Sequence, residues 1–335
     1  MKLGKKAAGK MNRLVDIAMA IERAERVLLC GHLMPDGDSL GSVLAMGLTL
    51  EKLGKKVTMA GPDLVPAVYD FLPGSERFLV GDPPEGLYDT LIVLDCSVPE
   101  RLGKGYQKLL LRDMVIINID HHAGSTPFGT YRYVDPLAAA VGEIIFDLFN
   151  LMKVSITLDA AICLYTAIIT DTGSFKYDNT TPDTHRRVTK LLEIGVPAAQ
   201  VNIRLYEEKP KAALLLLGAA LNTLSISPCE KVCWMTVNRD ILRSTGAEDE
   251  HTDGLVNYTR SIVGVQVGLL FREISDGRYK ISFRSKDTVD VNQLAALFGG
   301  GGHPRAAGCV MQGDLGEIQE KIVAAAVLAA GGINR

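Results

Sequence analysis

The sequence predicts an α/β protein, with a parallel sheet in its first half and a smaller α+β arrangement in its second half. Strand-like and helix-like segments alternate through the first half, which is typical of a parallel sheet covered by helices on both faces. The strand-like segments are continuous apolar runs that end in polar loops, as buried parallel strands do. In the second half, two strand-like runs flank Ser275-Asp276-Gly277, which is a hairpin signal.

The first half contains the more regular elements. Its predicted strands are Arg26 to His32, Lys56 to Gly61, Thr90 to Cys96 and Met114 to His122. Its predicted helices are residues 39–53, 138–152 and 157–171, and Gly54 is a natural stop for the first of them.

The second half begins after a helical, charged stretch at residues 180–211, which predicts a connection between two domains. Its predicted strands are Lys231 to Asp240, Val263 to Ile274 and Arg278 to Ser285, and its predicted helices are residues 291–298 and 315–330. The 335 residues are enough for two domains. We therefore predict domains at 1–190 and 216–335, joined by a helical linker at 191–215 and facing each other across a cleft.

The composition is typical of a folded globular protein and disfavours a membrane protein and a binder of long nucleic acid. Hydrophobic residues make up 47% and charged residues 22%, which is ordinary for a folded globular chain. The longest apolar run, at 212–221, is shorter than the roughly 18 residues expected of a membrane span, so a cytoplasmic location is predicted. The net charge of −3 disfavours a stable complex with long nucleic acid but allows a short, phosphate-bearing substrate.

Acidic and histidine residues follow three of the predicted strands. They are His32, Asp36 and Asp38 after the first strand, Asp95 at the end of the third, and Asp120, His121 and His122 at the end of the fourth. In an open parallel sheet the carboxyl ends of the strands form the ligand crevice, so residues distant in sequence can meet there. Asp36 and Asp38 alone could also be turn formers, because PDGDS is strong turn chemistry.

A cluster of carboxylates in a cleft is unfavourable, because like charges repel and lose solvent. Divalent cations would offset both effects. Mixed carboxylate and imidazole ligands suit Mn²⁺, Fe²⁺, Co²⁺ or Zn²⁺, whereas an all-oxygen set would favour Mg²⁺. Two ions about 3.5–4 Å apart could share one carboxylate and activate a water for attack on phosphorus.

Five motifs carry a resemblance to a known family. GHLMPDGDSLGS, LIVLDCS, IDHH and TDTGSF occur in this order and resemble the four motifs of the DHH phosphoesterase family. GGGGHPRAAG resembles the signature of the DHHA1 domain. The resemblance covers nearly the whole chain, so residues 1–190 correspond to the DHH domain and 216–335 to the DHHA1 domain. Length and layout are similar to the nanoRNase and pAp-phosphatase subfamily.

The resemblance implies two divalent ions, with Mn²⁺ expected first and Mg²⁺ or Co²⁺ as alternatives. It implies that His32, Asp36 and Asp95 hold one ion. The other ion is implied to be held by Asp38, Asp95, His121 and Asp171, so that Asp95 bridges. For catalysis it implies that His122 contacts the scissile phosphate or donates a proton to the leaving oxygen. Asp120 would support the metal ligands or orient a histidine.

The resemblance also implies that the DHHA1 domain holds the nucleotide and far phosphate of the substrate. The candidate contacts are Arg284, Ser285, Gly302, His303 and Arg305. Glycines allow a close backbone approach and arginine fits a phosphate in a bidentate way. One departure from the family is Ala138-Ala139-Ala140, where small hydroxyl residues are common, so hydroxyl-mediated substrate contact is in doubt there.

The predicted function is metal-dependent hydrolysis of short oligoribonucleotides to nucleoside monophosphates, with removal of the 3′-phosphate of pAp to give AMP. The predicted partners are short RNA and phosphorylated nucleotides, and the resemblance implies a homodimer. The alternatives are a phosphodiesterase for cyclic or linear dinucleotides, a RecJ-like single-strand DNA exonuclease, and a pyrophosphatase or polyphosphatase. A non-enzymatic nucleotide-binding module would be expected to lose metal ligands, and every one is present.

Overall fold

The structure is a computed structural model that describes residues 11–286 and 289–331, except for the side chain of His303. The chain divides into two compact units, Met1–Glu208 and Lys209–Arg335. The predicted linker at 191–215 therefore contributes to both units. Among the helices in the described ranges, none is long and apolar enough to cross a membrane.

The first unit is built on a six-stranded sheet in which every neighbouring pair of strands is parallel. Its strands are β1 Arg26–Cys30, β2 Lys56–Gly61, β3 Leu79–Val80, β4 Thr90–Leu94, β5 Val115–Asp120 and β6 Tyr131–Val134. They lie in the order β3-β2-β1-β4-β5-β6. The direction of this order reverses between β1 and β4, and ligands of open α/β sheets bind outside the strand ends at such a reversal.

Helices and short turns lie before, between and after these strands. The helices are α1 Leu14–Arg23, α2 Gly37–Lys52, α3 Lys104–Gln107, α4 Val141–Leu151, α5 Leu158–Asp171, α6 Pro182–Ile194 and α7 Ala198–Asn202. Short 3₁₀ turns lie at Ala67–Tyr69, Ser75–Arg77, Pro99–Leu102 and Lys108–Leu111, and a π-helical turn follows α7 at Ile203–Glu207.

Both faces of the first sheet are buried. Val27 and Leu29 of β1 belong to the larger core cluster, which also includes residues of α2, α4 and α5. Leu28 and Cys30 point to the other face, where they join a second cluster that includes Tyr106. Burial on both faces explains why these strands read as continuous apolar runs in the sequence.

Helices α2 and α5 pack against each other through glycine. A Cβ added at Gly37 would lie 2.4 Å from Oγ1 of Thr170, and one added at Gly41 would lie 2.5 Å from the carbonyl oxygen of Cys163. Real Cβ atoms do not approach other atoms so closely, so the spacing of the two helices depends on these glycines. This spacing brings the first turn of α2 close to the last turn of α5.

The second unit is an α+β arrangement around a mixed sheet in the order β11-β12-β10-β9-β8-β7. Its strands are β7 Ser225–Ile226, β8 Val232–Val237, β9 Val267–Ser275, β10 Arg278–Ser285, β11 Gly301–His303 and β12 Ala306–Gln312. Its helices are α8 Lys211–Leu221, α9 Arg239–Thr245, α10 Val256–Arg260, α11 Val291–Ala296 and α12 Leu315–Ala329, with a 3₁₀ turn at Asp249–Thr252. The predicted hairpin is confirmed, because β9 and β10 pair antiparallel around Gly277.

A glycine-rich stretch contributes an edge strand to the second sheet. Gly301–His303 forms the edge strand β11 and pairs antiparallel with β12. A Cβ added at Gly302, whose φ is +152°, would lie 2.5 Å from the carbonyl oxygen of Ala306. Glycine is therefore required here to bring two backbones together, and the strand is short and at an edge, where glycine is tolerated.

Candidate metal centre

The first group of candidate ligands lies where β1 leads into α2. Asp36 caps α2, and its Oδ1 accepts a hydrogen bond from the backbone N–H of Ser39 at 3.0 Å. Nδ1 of His32 lies 2.7 Å from the carbonyl oxygen of Leu33. That contact directs Nε2 of His32 to the carboxylates, 3.6 Å from Oδ2 of Asp36 and 3.3 Å from Oδ2 of Asp95.

The second group comes from three separate elements. Asp38 lies in the first turn of α2, His121 follows β5, and Asp171 is the last residue of α5. Nε2 of His121 lies 3.8 Å from Oδ2 of Asp38, 3.5 Å from Oδ2 of Asp171 and 3.7 Å from Oδ1 of Asp95. The close packing of α2 and α5 accounts for the approach of Asp38 to Asp171.

Asp95 lies between the two groups. Its Oδ2 faces His32 and its Oδ1 faces His121, so each carboxylate oxygen serves one group. It follows β4 directly, at the reversal of strand order, and has a left-handed backbone with φ +54°. Such a conformation is unfavourable for a residue other than glycine and is a feature of functional sites.

The donor set suits divalent ions. Three groups have ligand atoms within 4.8 Å of one another: His32, Asp36 and Asp95; Asp38, His121 and Asp171; and Asp95, His121 and His122. Within the described part of the chain, Nε2 of His32 and Oδ1 of Asp95 are buried and have no hydrogen-bond partner. Buried polar atoms without partners are rare in native proteins, and an ion is one of the accepted explanations.

Burial and neighbouring charges shift the pKa values of the candidate ligands. Burial, followed by repulsion from Asp95 and other carboxylates, raises the pKa of Asp38 well above its ordinary value. Burial also raises the pKa of Asp171 to about 6, although His121 opposes the shift. Burial alone would lower the pKa of His32, but the carboxylates of Asp36 and Asp95 raise it to about 10. Protons would therefore supply the positive charge that cations supply when bound.

His122 and Asp120 form a hydrogen-bonded pair at the edge of this cluster, with Nδ1 of His122 3.6 Å from Oδ1 of Asp95. Nδ1 of His122 lies 2.8 Å from Oδ1 of Asp120, which is fully buried at the end of β5. This hydrogen bond raises the pKa of His122. Burial alone would raise the pKa of Asp120, but the interaction with His122 lowers it. The predicted role of Asp120 in orienting a histidine is consistent with this geometry.

Comparison with known proteins matches two domain families along the chain. The DHH family N-terminal domain matches residues 26–168, and the DHHA1 domain matches residues 231–327. The bifunctional oligoribonuclease and PAP phosphatase NrnA of Thermus thermophilus is 33% identical, over 94% of this chain and 93% of the relative. This chain belongs to the DHH family. The resemblance predicted from the five motifs is thereby confirmed.

Two further likenesses extend over both domains. The protein of the same name from Bacillus subtilis is 26% identical, over 88% of this chain and 91% of the relative. The crystal structure of an exopolyphosphatase-related protein from Bacteroides fragilis is 25% identical and has a TM-score of 0.86, with 95% of each chain covered. The α/β DHH domain followed by a DHHA1 domain, as predicted, is therefore confirmed.

Several predicted substrate contacts of the DHHA1 domain have internal partners. Oγ of Ser285 is buried and donates to the carbonyl oxygen of Val289 at 2.6 Å. Arg305 donates from Nη1 to the same carbonyl at 3.2 Å. Arg284 ends β10 with Ser285, and Nη1 of Arg284 lies 3.0 Å from the carbonyl oxygen of Phe283. Gly302 donates its N–H to Oδ1 of Asn292, while the side chain of His303 lies outside the described residues.

The DHH domain contains supporting residues that the sequence analysis does not identify. Nδ2 of Asn179 donates to the carbonyl oxygens of Ala139 and Asp171, both at 3.1 Å. Glu143 is buried in α4 and accepts from the N–H of Ala139. A buried glutamate in the apolar run of α4 was the available signal for Glu143, because such a residue needs a partner.

Loading of divalent ions should release protons from this cluster. With a pKa of about 10 the imidazole of His32 is protonated at pH 8, and it must lose that proton to bind an ion. We expect Mn²⁺ binding at pH 8 to release about one proton or more per chain. Affinity should fall as the pH drops below 6, where Asp171 also becomes protonated.

Isothermal titration of Mn²⁺ in two buffers of different ionisation enthalpy measures this release. The His32→Ala variant is the control, and it should release fewer protons than the wild type. Binding heats that do not depend on the buffer would contradict the prediction.

Proposed function

We propose that this protein hydrolyses short oligoribonucleotides to nucleoside monophosphates and removes the 3′-phosphate of pAp to give AMP, with two divalent ions at the candidate metal centre. The observation that carries the proposal is Asp95, whose two oxygens face two separate donor groups. In two-metal sites, adjacent ions stabilise both the attacking and the leaving oxygen of an in-line displacement at phosphorus. The names of the Thermus thermophilus and Bacillus subtilis relatives support both substrates.

The residues of the two groups would hold the ions. His32, Asp36 and Asp95 would hold one, and Asp38, Asp95, His121 and Asp171 would hold the other. We propose Mn²⁺, because mixed imidazole and carboxylate donors suit it better than they suit Mg²⁺; Mg²⁺ and Co²⁺ are the alternatives. Bound divalent ions neutralise charge on phosphate oxygens and lower the pKa of water to near neutrality.

His122 is the proposed proton donor to the leaving oxygen. Its Nδ1 is engaged by Asp120, which leaves Nε2 as the nitrogen available to a substrate. Asp120 raises the pKa of His122, so more of the imidazole is protonated at neutral pH than in an unpaired histidine. A positioned acid of this kind contributes about 10²–10⁴-fold to a rate.

The DHHA1 domain is the proposed reader of the substrate's nucleotide and far phosphate. Arg284 is the proposed direct contact, and Gly302, whose N–H is donated to Asn292, and His303 remain candidates from the sequence. The internal hydrogen bonds of Ser285 and Arg305 support a role in shaping the loop around Val289. Direct contact of Ser285 and Arg305 with the substrate stays a prediction, as do the homodimer and the cytoplasmic location.

A side-by-side hydrolysis assay with Mn²⁺ tests the proposal. The substrates are labelled RNA from two to five nucleotides, pAp, linear and cyclic dinucleotides, long single-stranded DNA, pyrophosphate and polyphosphate. We expect short RNA and pAp to give the highest kcat/KM, and a chelator to abolish both activities.

Each other outcome points to a different alternative. Fastest cleavage of a cyclic dinucleotide, of long DNA or of polyphosphate would leave the metal centre intact but would contradict the proposed substrate. Polyphosphate is included because the Bacteroides fragilis structure is described as exopolyphosphatase-related. Nucleotide binding without hydrolysis of any substrate would favour a non-enzymatic binding module.

A further inference from the structure

A single backbone segment contacts the second group of candidate ligands. We call residues 138–142 the alanine segment; they lead into α4 and include its first two residues. The carboxylate of Asp38 accepts the N–H of Val141 at 2.6 Å and the N–H of Gly142 at 2.9 Å. Both carboxylate oxygens are thus directed by the start of a helix, where free N–H groups favour an anion.

The other two members of the group depend on the same segment. Nδ1 of His121 lies 3.1 Å from the carbonyl oxygen of Ala138, which makes Nδ1 the protonated nitrogen and leaves Nε2 free to bind an ion. Asn179 ties the carbonyl oxygen of Ala139 to that of Asp171. A shift of the alanine segment would therefore move Asp38, His121 and Asp171 together.

Glu143 holds the alanine segment through a hydrogen bond to its backbone. Its Oε2 accepts the N–H of Ala139 at 3.0 Å and lies 3.4 Å from Nη1 of Arg187, which comes from α6. Arg187 is held in turn by Asp147, at 2.5 Å and 3.1 Å. Glu143 is only 1% exposed, and burial of a carboxylate is unfavourable unless it is paired. Helix capping alone would not require the partly buried arginine partner.

We infer that Glu143 is a positioning residue that sets the ion affinity of the group formed by Asp38, His121 and Asp171, and not that of the other group. The inference rests on the proposed two-ion function. His32 and Asp36 are directed by different partners, the carbonyl of Leu33 and the N–H of Ser39. The two ion positions therefore have separate supports, and one support can be weakened alone.

Calorimetric titration of Mn²⁺ at pH 8 tests this inference on Glu143→Gln, which keeps the side chain's size but removes its charge. We expect the wild type to bind two ions. The variant should bind one with wild-type affinity and the other about 10–100-fold more weakly. Glu193→Gln is the matched control: it makes the same chemical change on the exposed surface of α6, where Glu193 pairs with Lys190 at 2.8 Å, and it should bind both ions as the wild type does.

Two further variants, each lacking a ligand of one ion, identify which ion is bound more weakly. In a His121→Ala protein, Glu143→Gln should change Mn²⁺ affinity less than about twofold, because both substitutions act on the same position. In an Asp36→Asn protein, which keeps only the ion at Asp38, His121 and Asp171, Glu143→Gln should abolish the remaining tight binding of Mn²⁺. Asn179→Ala, which removes the hydrogen bonds to Ala139 and Asp171, should weaken the binding of one ion in the same way. It replaces Glu143→Gln in the test if circular dichroism shows that Glu143→Gln does not fold.

The contrary results are distinct. Wild-type affinity for both ions in Glu143→Gln, or in Asn179→Ala, would overturn the inference. Equal weakening of both ions would also overturn it, because it would indicate a general structural role. A wild type that binds no Mn²⁺ would contradict the proposed function itself.

Discussion

Asp95→Asn is expected to lower kcat/KM for a short oligoribonucleotide by about 10³-fold or more. Asp95 is buried and is the carboxylate that faces both His32, at 3.3 Å, and His121, at 3.7 Å. An asparagine has no charge and offers one oxygen in place of two, so it cannot serve both groups. Ions at such a site stabilise the transition state by several kcal/mol, and each 1.36 kcal/mol is about tenfold in rate.

Asp113→Asn is the matched control for this prediction, because it makes the same chemical change in an exposed turn before β5. It should leave kcat/KM unchanged. Circular dichroism and the melting temperature show whether both variants fold. Activity of folded Asp95→Asn within tenfold of the wild type would contradict the role of a shared ligand.

Gly41→Ala is expected to destabilise the protein by about 1–3 kcal/mol, which is the usual range for overpacking a core. The added Cβ would lie 2.5 Å from the carbonyl oxygen of Cys163 and 3.2 Å from the N of Ala167, both on α5. Backbone atoms cannot move aside as a flexible side chain can. Because Asp38 lies at the start of α2 and Asp171 at the end of α5, Mn²⁺ affinity should fall as well.

Gly218→Ala is the control, since no heavy atom lies within 4 Å of a Cβ added at Gly218, which is also in a helix. Alanine favours helix by about 1 kcal/mol over glycine, so this variant should be as stable as the wild type or more so. Scanning calorimetry of both variants measures the difference. An unchanged or higher melting temperature for Gly41→Ala would show that α2 and α5 are less tightly coupled than their packing indicates.

The parts of the fold that could be predicted are those with the strongest burial. Strands β1, β4 and β5 are buried on both faces, so their sequences are predominantly apolar. Strand β6 was not predicted, because it is a half-buried edge strand with a charged residue, Arg132. Helix α1 was not predicted either, although Leu14, Ile17, Ala18 and Ile21 follow a helical period.

The candidate site could likewise be predicted only in part from the sequence. Motifs made of side chains, such as those containing His32 and Asp95, are visible in the sequence. The second ligand group is held largely by hydrogen bonds to backbone atoms of Ala138, Ala139 and Val141. Every residue has a carbonyl, and nearly every residue has an N–H, so the residue types do not reveal these hydrogen bonds. The alanines that interrupt the family's hydroxyl pattern keep these backbone contacts, because the contacts do not depend on side chains.

Anomalous X-ray diffraction from crystals grown with Mn²⁺ tests most directly whether the cluster around Asp95 holds two ions. We expect two anomalous peaks about 3.5–4 Å apart, with the carboxylate of Asp95 between them. One peak would lie beside His32 and Asp36, and the other beside Asp38, His121 and Asp171. A single peak, or none next to Asp95, would contradict the two-ion account.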